Sequence, residues 1–298
     1  MKINRQRTIL KNCLYRIRHF LPDSLYIKVL YKLEMGIYPN LRNPCLFTEK
    51  IQWLKLYNRK DEYTMMVDKY EVKHYVSSII GEKYIIPTIG VWDNFEEIDF
   101  NTLPNQFVLK TTQGSHASII CRDKKNFDIE AARLFFKHNQ YKSPYNLYKE
   151  WAYKNVKPRI IAEIYMESPG QSDLIDYKFF CFNGKALYCQ VIKDRTEDET
   201  IDFFDRNWIH QEFIGLNPNV HNSITPIQRP KKYDEMLTIA DKLSQQIPFV
   251  RIDLYDINDE IYFGEITFYP AAGFGQFKPQ EWDKRLGYLI NLPQKKKA

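Results

Sequence analysis

The sequence lacks the features that identify disulfide-rich, zinc-binding and membrane-spanning proteins. Its 298 residues include five cysteines, an odd number, and no Cys-x-x-Cys pair, so we expect free thiols in a reducing cytoplasm and no zinc framework. Long apolar runs are absent and the mean hydropathy is −0.50, which argues against a transmembrane helix. The first 20 residues contain no uninterrupted apolar segment, so no signal peptide is expected. The expected location is therefore the cytoplasm.

Positive charge is concentrated at the two ends of the chain. The net charge is +6, and six basic residues precede the first acid, Asp23: Lys2, Arg5, Arg7, Lys11, Arg16 and Arg18. Three further lysines occupy positions 295–297, so the remainder carries a small net negative charge. Nucleic-acid binding requires a basic surface, and we therefore expect no nucleic-acid partner.

The basic N-terminus predicts one or two helices over residues 1–36. Apolar side chains recur among the basic ones, at Ile3, Ile9, Leu10, Leu14, Ile17 and Phe20. A basic amphipathic helix can lie on an anionic membrane surface. The alternative is a solvated helix packed on the body of the protein. The pattern leaves both open, with peripheral contact at the inner membrane face through residues 1–20 as the functional interpretation.

Residues 249–270 predict two strands joined by a polar turn at 256–259, because apolar and polar residues alternate on both sides of it. Arg251 and Asp253 share one face, and Glu265 and Thr267 share a face of the returning strand. An antiparallel return would bring Glu265 near Asp253. Two neighbouring carboxylates repel each other unless a cation lies between them, and Mg²⁺ typically takes one or two carboxylates plus phosphate oxygens. The alternative is a surface hairpin with solvated charges.

A second segment predicts a phosphate-binding loop without a familiar signature, since neither GxxxxGK[ST] nor GxGxxG occurs. Residues 107–110 form a short buried-strand pattern that ends in Lys110, and a small-residue loop with Gly114 and Ser115 follows. Backbone N–H groups of such a loop can approach phosphate oxygens, and a lysine can contact them as a point charge. The alternative is a hairpin turn with an exposed lysine. Before this segment, residues 64–80 predict a single helix with Asp68 and Lys69 early in it.

Taken in order, these segments resemble the ATP-grasp fold, and most closely its TupA-like branch, which is named for teichuronopeptide biosynthesis and found in bacterial surface-polysaccharide clusters. The resemblance covers about residues 47–292. It rests on six phrases: FTEKIQW (47–53), DKYEV (68–72), FVLK (107–110), DYKFFCFNG (176–184), FVRID (249–253) and GEITFYP (264–270).

The resemblance implies an α+β fold in which two α+β subdomains grip ATP, preceded by a helical basic segment. The expected domains are a helical N-terminal segment at 1–60, a small α/β lead-in at 61–106, the small ATP-grasp subdomain at 107–165 and the large subdomain with the metal site at 166–298.

The resemblance also implies residue roles. Lys69, Lys110, Gly114 and Ser115 would contact the phosphates of ATP, and Glu163 the adenine and ribose. Mg²⁺, or Mn²⁺ in its place, would be held by Asp253, Glu265 and Thr267. Many ATP-grasp enzymes have Asn where this chain has Thr267. The catalytic group would be Arg251, with Lys178 and Asp176 lining the cleft.

The implied activity is that of an ATP-dependent carboxylate–amine ligase, which forms an acyl phosphate that an amine then attacks. Its partners would be ATP, an amine and a carboxylate-bearing sugar or polysaccharide precursor, in capsule, O-antigen or teichuronopeptide-like biosynthesis. One alternative is a glycosyltransferase of the same pathway, although the acids at 173 and 176 and at 202 and 205 lack Asp-x-Asp spacing. Another is a scaffold that keeps the fold without activity.

Overall fold

A computed structural model describes residues 2–114, 117–168 and 173–295, with side chains from residue 6 onward. The α-helices in these ranges are α1 (Lys2–Arg16), α2 (Asp23–Met35), α3 (Phe47–Tyr57), α4 (Glu62–Val67), α5 (Glu71–Ile80), α6 (Ile129–Asn139), α7 (Pro144–Tyr148), α8 (Tyr233–Leu243) and α9 (Glu281–Leu289). The strands are β1 (Thr88–Trp92), β2 (Phe107–Thr111), β3 (Ser118–Cys121), β4 (Ile160–Ile164), β5 (Asp176–Phe182), β6 (Lys185–Lys193), β7 (Thr200–Asp205), β8 (His210–Gln211), β9 (Ile214–Leu216), β10 (Phe249–Ile257), β11 (Glu260–Thr267) and β12 (Gln276–Lys278). Helices combined with antiparallel sheets make the predicted α+β fold.

The larger sheet has six strands in the order β11-β10-β5-β6-β7-β8. Its central strand β5 is buried along its whole length because helices cover both faces. On one face Phe179 packs against Tyr233 of α8. On the other, Phe180 packs against Phe47 of α3. Because side chains alternate along a strand, Asp176 and Lys178 lie on the same face of the sheet as Phe180, the face that α3 contacts.

The smaller sheet has four strands in the order β1-β4-β2-β3. Phe107 and Leu109 of β2 point into a separate core that includes Phe136 of α6. The alternate residue Lys110 therefore lies on the opposite face, together with Glu163 of β4. Because β1 comes from the predicted lead-in at 61–106, that segment contributes a strand to this sheet. The domain boundaries themselves stay a prediction.

The predicted helix over 64–80 is wrong in one respect, because the structure has two helices, α4 and α5, with a break at residues 68–70. The Asp68 carboxylate causes the break by accepting hydrogen bonds from the backbone N–H groups of Tyr70 (2.8 Å) and Glu71 (3.2 Å) at the start of α5. An aspartate in this position satisfies N–H groups that a helix start leaves free. Lys69 consequently lies in the break, where its N–H donates to the Thr112 carbonyl (2.9 Å).

At the N-terminus, α1 and α2 pack through a small core of Leu14, Tyr26 and Leu30. Over the described ranges, none of the helices is both long and apolar enough to cross a bilayer.

Candidate active site

The hairpin β10–β11 brings four of the predicted residues onto one face. Asp253 lies opposite Glu265, and Arg251 lies opposite Thr267, which confirms the register predicted from alternation. The turn contains two residues with positive φ, Asn258 (56°) and Asp259 (62°), the conformation of tight two-residue hairpins. The pairing of β10 with β11 therefore holds these four side chains in place.

Arg251 is the cation between the two hairpin carboxylates. Its guanidinium donates to both oxygens of Asp253, from Nε to Oδ1 (2.7 Å) and from Nη2 to Oδ2 (2.7 Å). Nη2 also reaches Glu265 Oε1 (2.9 Å) and Thr267 Oγ1 (3.2 Å). The Thr267 hydroxyl donates in turn to Glu265 Oε1 (3.0 Å). The repulsion expected between the carboxylates is thus offset by a residue of the same strand.

The row of alternating charges continues onto β5. Lys178 Nζ lies 2.5 Å from Asp253 Oδ2 and 3.1 Å from Asp176 Oδ1. Arg195, which the sequence did not single out, lies 2.6 Å from Asp176 Oδ2. Asp176 and Asp253 each contact two cations, and Glu265 contacts one, Arg251. The predicted catalytic group Arg251, Lys178 and Asp176 is therefore brought together.

On the smaller sheet, Glu163 binds two lysines. Its Oε2 lies 2.5 Å from Lys110 Nζ, and its Oε1 lies 2.5 Å from Lys73 Nζ. Burial raises the pKa of the Glu163 carboxyl, but Lys110 and Lys73 outweigh that effect and lower it. Lys73 was missed by sequence reasoning. In the predicted helix over 64–80, its position four residues after Lys69 was the available signal. Only the structure shows that Lys73 reaches Thr88 of β1 and Glu163 of β4.

Lys69 contacts the loop that follows β2. Its Nζ donates to the Gly114 carbonyl. Burial lowers the pKa of the Lys69 ammonium; Glu265 opposes this, Lys110 adds to it, and Glu163 opposes it. Lys69 therefore lies within electrostatic range of groups on both sheets. Gly114 has a φ of 75°, which favours glycine. Ser115 lies outside the described residues, so its contact with phosphate stays a prediction.

The pKa of the Glu265 carboxyl is strongly lowered by the cations around it. Burial raises its pKa, but Arg251, then Lys69 and Lys178, outweigh that effect and lower it to about 2. One third of the side chain is exposed, so Glu265 is ionised and accessible.

The carboxylate oxygens of Asp253 and Glu265 suit a hard cation that also binds water and phosphate oxygens. Glu265 Oε1 is occupied by Arg251 and Thr267, whereas Oε2 accepts no hydrogen bond from any residue that the structure describes. Asp253 Oδ1 accepts a hydrogen bond from Arg251 alone among the described residues. No cluster of three His, Cys, Asp or Glu side chains suited to a metal occurs in the described part of the chain. Two carboxylates with phosphate and water oxygens fit Mg²⁺, and the role of Thr267 as a ligand stays a prediction.

The chain matches one family model and is similar to several solved structures. A family model described as TupA-like ATPgrasp matches residues 49–291. The chain is similar to a D-alanine–D-alanine ligase from Bacillus anthracis, with 15% identity and a TM-score of 0.42 over 70% of this chain and 58% of that one. It is also similar to the D-alanine–D-alanine ligase of Helicobacter pylori (12%, TM-score 0.40, over 77% and 60%). A third similar structure is the ATP-grasp ligase PsnB with its minimal precursor, Mg and ADP (8%, TM-score 0.39, over 79% and 60%).

The chain thus spans less than two thirds of the length of these structures. No protein of curated function matches it.

Proposed function

The chain belongs to the TupA-like ATP-grasp family, whose model matches most of its length, and we propose that it is an ATP-dependent carboxylate–amine ligase acting through an acyl phosphate. The observation that carries the proposal is the contact of Arg251 with both Asp253 and Glu265. These three residues and Lys178 form a preorganised array of charges on the larger sheet. Lys110 belongs to the smaller sheet, and Lys69 lies beside it. Such an array stabilises charge on a transferring phosphoryl group without rearranging.

In this mechanism Lys69 and Lys110 orient the phosphates of ATP. Glu163 holds Lys110 in place, and we assign it, with the neighbouring backbone, to the adenine and ribose. Gly114 and Ser115 belong to the loop that covers the phosphates.

Asp253 and Glu265, with Thr267 as the third donor, would hold Mg²⁺ or Mn²⁺, which neutralises phosphate charge when bound. Arg251 stabilises the acyl-phosphate-like transition state. Lys178 and Asp176 line the cleft; burial raises the pKa of Asp253, and Arg251 and Lys178 oppose that rise.

We further propose that the carboxylate belongs to a sugar or polysaccharide precursor and that the product enters surface-polysaccharide biosynthesis, such as capsule, O-antigen or a teichuronopeptide-like polymer. This part rests on the family resemblance alone.

We also propose that α1 lies on the anionic inner face of the membrane, on the cytoplasmic side. Ile9 and Leu10 of α1 and Ile17, just after its end, are 53%, 54% and 48% exposed, whereas Leu14 packs inward on α2. Exposed apolar side chains among basic residues are the pattern of an interfacial segment.

Vesicle sedimentation tests the membrane contact. The protein should sediment with phosphatidylglycerol vesicles and not with phosphatidylcholine vesicles, and Leu10→Asp should abolish this. Leu134→Asp on α6, at another exposed leucine (65%), is the matched control. Equal sedimentation of the Leu10 variant would contradict the contact.

The ligase proposal is tested in two stages. Mg·ATP should raise the melting temperature, whereas a shift with UDP-sugars alone would favour the glycosyltransferase alternative. ADP and phosphate release are then measured with uronic acids and amino acids. Asp253→Ala and Glu265→Ala should abolish ATP turnover, and Glu260→Ala, an exposed acid on the same hairpin, should not. Retained turnover in both site variants would exclude the assignment.

A further inference from the structure

Arg195 lies at one end of the row of alternating charges that crosses the larger sheet. Ion pairs link six side chains in the order Glu265, Arg251, Asp253, Lys178, Asp176 and Arg195. The four inner side chains are each at most 11% exposed, whereas those of Glu265 and Arg195 are 33% and 41% exposed. The row therefore has two open ends of opposite charge. The anionic end suits a metal ion, and the cationic end suits an anion.

Arg195 has unused hydrogen-bond donors. A guanidinium carries five N–H groups, and Asp176 is the one partner that Arg195 contacts among the residues that the structure describes. Arg251, by contrast, shares its donors among Asp253, Glu265 and Thr267. Arg195 can therefore bind an anion from outside the chain and keep its ion pair with Asp176.

The backbone around Arg195 is fixed by hydrogen bonds. A turn that contains Arg195 follows β6 and is closed by the N–H of Glu197, which donates to the Asp194 carbonyl (3.1 Å). Next to Arg195, the N–H (3.0 Å) and the hydroxyl (2.6 Å) of Thr196 both donate to Asp173 Oδ2. The turn is thus tied to the segment that precedes β5, and it holds the guanidinium beside the start of that strand.

The two open ends are too far apart for one carboxylate to contact both. In the sheet order β11-β10-β5, Asp176 lies two strands away from Glu265. Asp253 pairs with both Glu265 and Lys178. Asp176 therefore also lies two residues further along β5. The spacing and rise of strands put the Cα atoms of Asp176 and Glu265 about 12 Å apart. A substrate carboxylate that reacts beside Glu265 leaves Arg195 open to a different acidic group.

We propose that Arg195 binds a second carboxylate of the acceptor substrate, so that the acceptor carries at least two carboxylates, as an oligouronate does. This inference rests on the proposed ligase function. A guanidinium binds a carboxylate through two parallel hydrogen bonds. One carboxylate of the acceptor reacts near Arg251, and the other is anchored at Arg195. Binding of the remote group orients the carboxylate that reacts.

The probes for this site are galacturonate, which has one carboxylate, and trigalacturonate, which has three. Each is titrated by calorimetry into the full chain with Mg·ADP. Wild type should bind trigalacturonate at least about tenfold more tightly, as expected from one further charge-assisted contact. Arg195→Met should remove this preference, and Arg195→Lys, which keeps the charge, should retain part of it.

Arg229→Met is the matched control and should keep the wild-type preference. Arg229 is 37% exposed and, like Arg195, lies 2.6 Å from a single carboxylate, that of Asp234. Equal binding of the two probes by wild type, no binding of trigalacturonate, or an unchanged preference in Arg195→Met would overturn the assignment.

The Mg·ATP melting shift is read separately in wild type and Arg195→Met, and it should be the same in both. Loss of the shift in the variant alone would place Arg195 on the phosphates of ATP and would also overturn the assignment. Absence of the shift in wild type would count against the ligase proposal instead.

Discussion

Arg251 binds both oxygens of Asp253, its neighbour two residues along the same strand, through two parallel hydrogen bonds of 2.7 Å. The side chains of the two residues are only 11% and 1% exposed. A planar guanidinium can make this forked contact and still reach Glu265, whereas an ammonium group cannot. The shape of the cation, as well as its charge, therefore organises the hairpin.

Replacing Arg251 should accordingly affect both stability and activity. Arg251→Met leaves Asp253 and Glu265 without their shared cation, and we expect the free energy of unfolding to fall by about 3 kcal/mol. Arg251→Lys should recover part of the stability and little of the ATP turnover, because the fork is lost. Urea unfolding and ADP release measure the two effects. Wild-type turnover in Arg251→Lys would contradict the role given to the guanidinium.

Glu265 should make stability sensitive to acid. Its pKa in the folded protein is about 2, below the ordinary value of 4.5. The ionised Glu265 carboxylate therefore stabilises the folded protein fully above pH 4.5, and this stabilisation is lost as pH falls toward 2. Glu265→Gln should flatten this part of the stability profile. Solvent screening of a partly exposed group limits the size of the effect. Urea midpoints between pH 5 and pH 2 test it, with Glu260→Gln as the control that should keep the wild-type slope.

Thr267 links Arg251 to Glu265 through its hydroxyl. Thr267→Val removes this link and should reduce stability by about 1 kcal/mol. Thr267→Asn supplies an amide oxygen and should lower the Mg²⁺ concentration needed for half-maximal ADP release, whereas Thr267→Val should raise it. An unchanged Mg²⁺ dependence in both variants would mean that position 267 does not serve the metal.

Lys110 should act on the nucleotide, because its ammonium is held by Glu163 while 29% of its side chain stays exposed. Lys110→Met should raise the KM for ATP at least about tenfold through loss of a charge-assisted contact. Lys137→Met on the exposed side of α6 is the matched control. If both variants show the same KM as wild type, Lys110 does not contact the phosphates.

Asp68 and Lys69 show where sequence reasoning reached its limit. The residues were identified, but the helix was expected to run through them. The Asp68 side chain accepts backbone hydrogen bonds at the start of α5, and so separates two helices. The periodicity of apolar residues does not show whether a helix continues through such an aspartate or begins anew at it. The break gives Lys69 its backbone bond to Thr112, which sets the lysine beside β2.

The sequence by itself determined the hairpin and the faces of its residues, because alternation along a strand is a local property with a period of two. It was sufficient to pair Asp253 with Glu265 and to place Arg251 beside them. Only the tertiary structure brought Lys73 to Glu163 and Lys55 to the carbonyls of Tyr148 and Ala272. Those relationships join segments about 90 or more residues apart, and they depend on how helices and sheets pack rather than on any pattern within one segment.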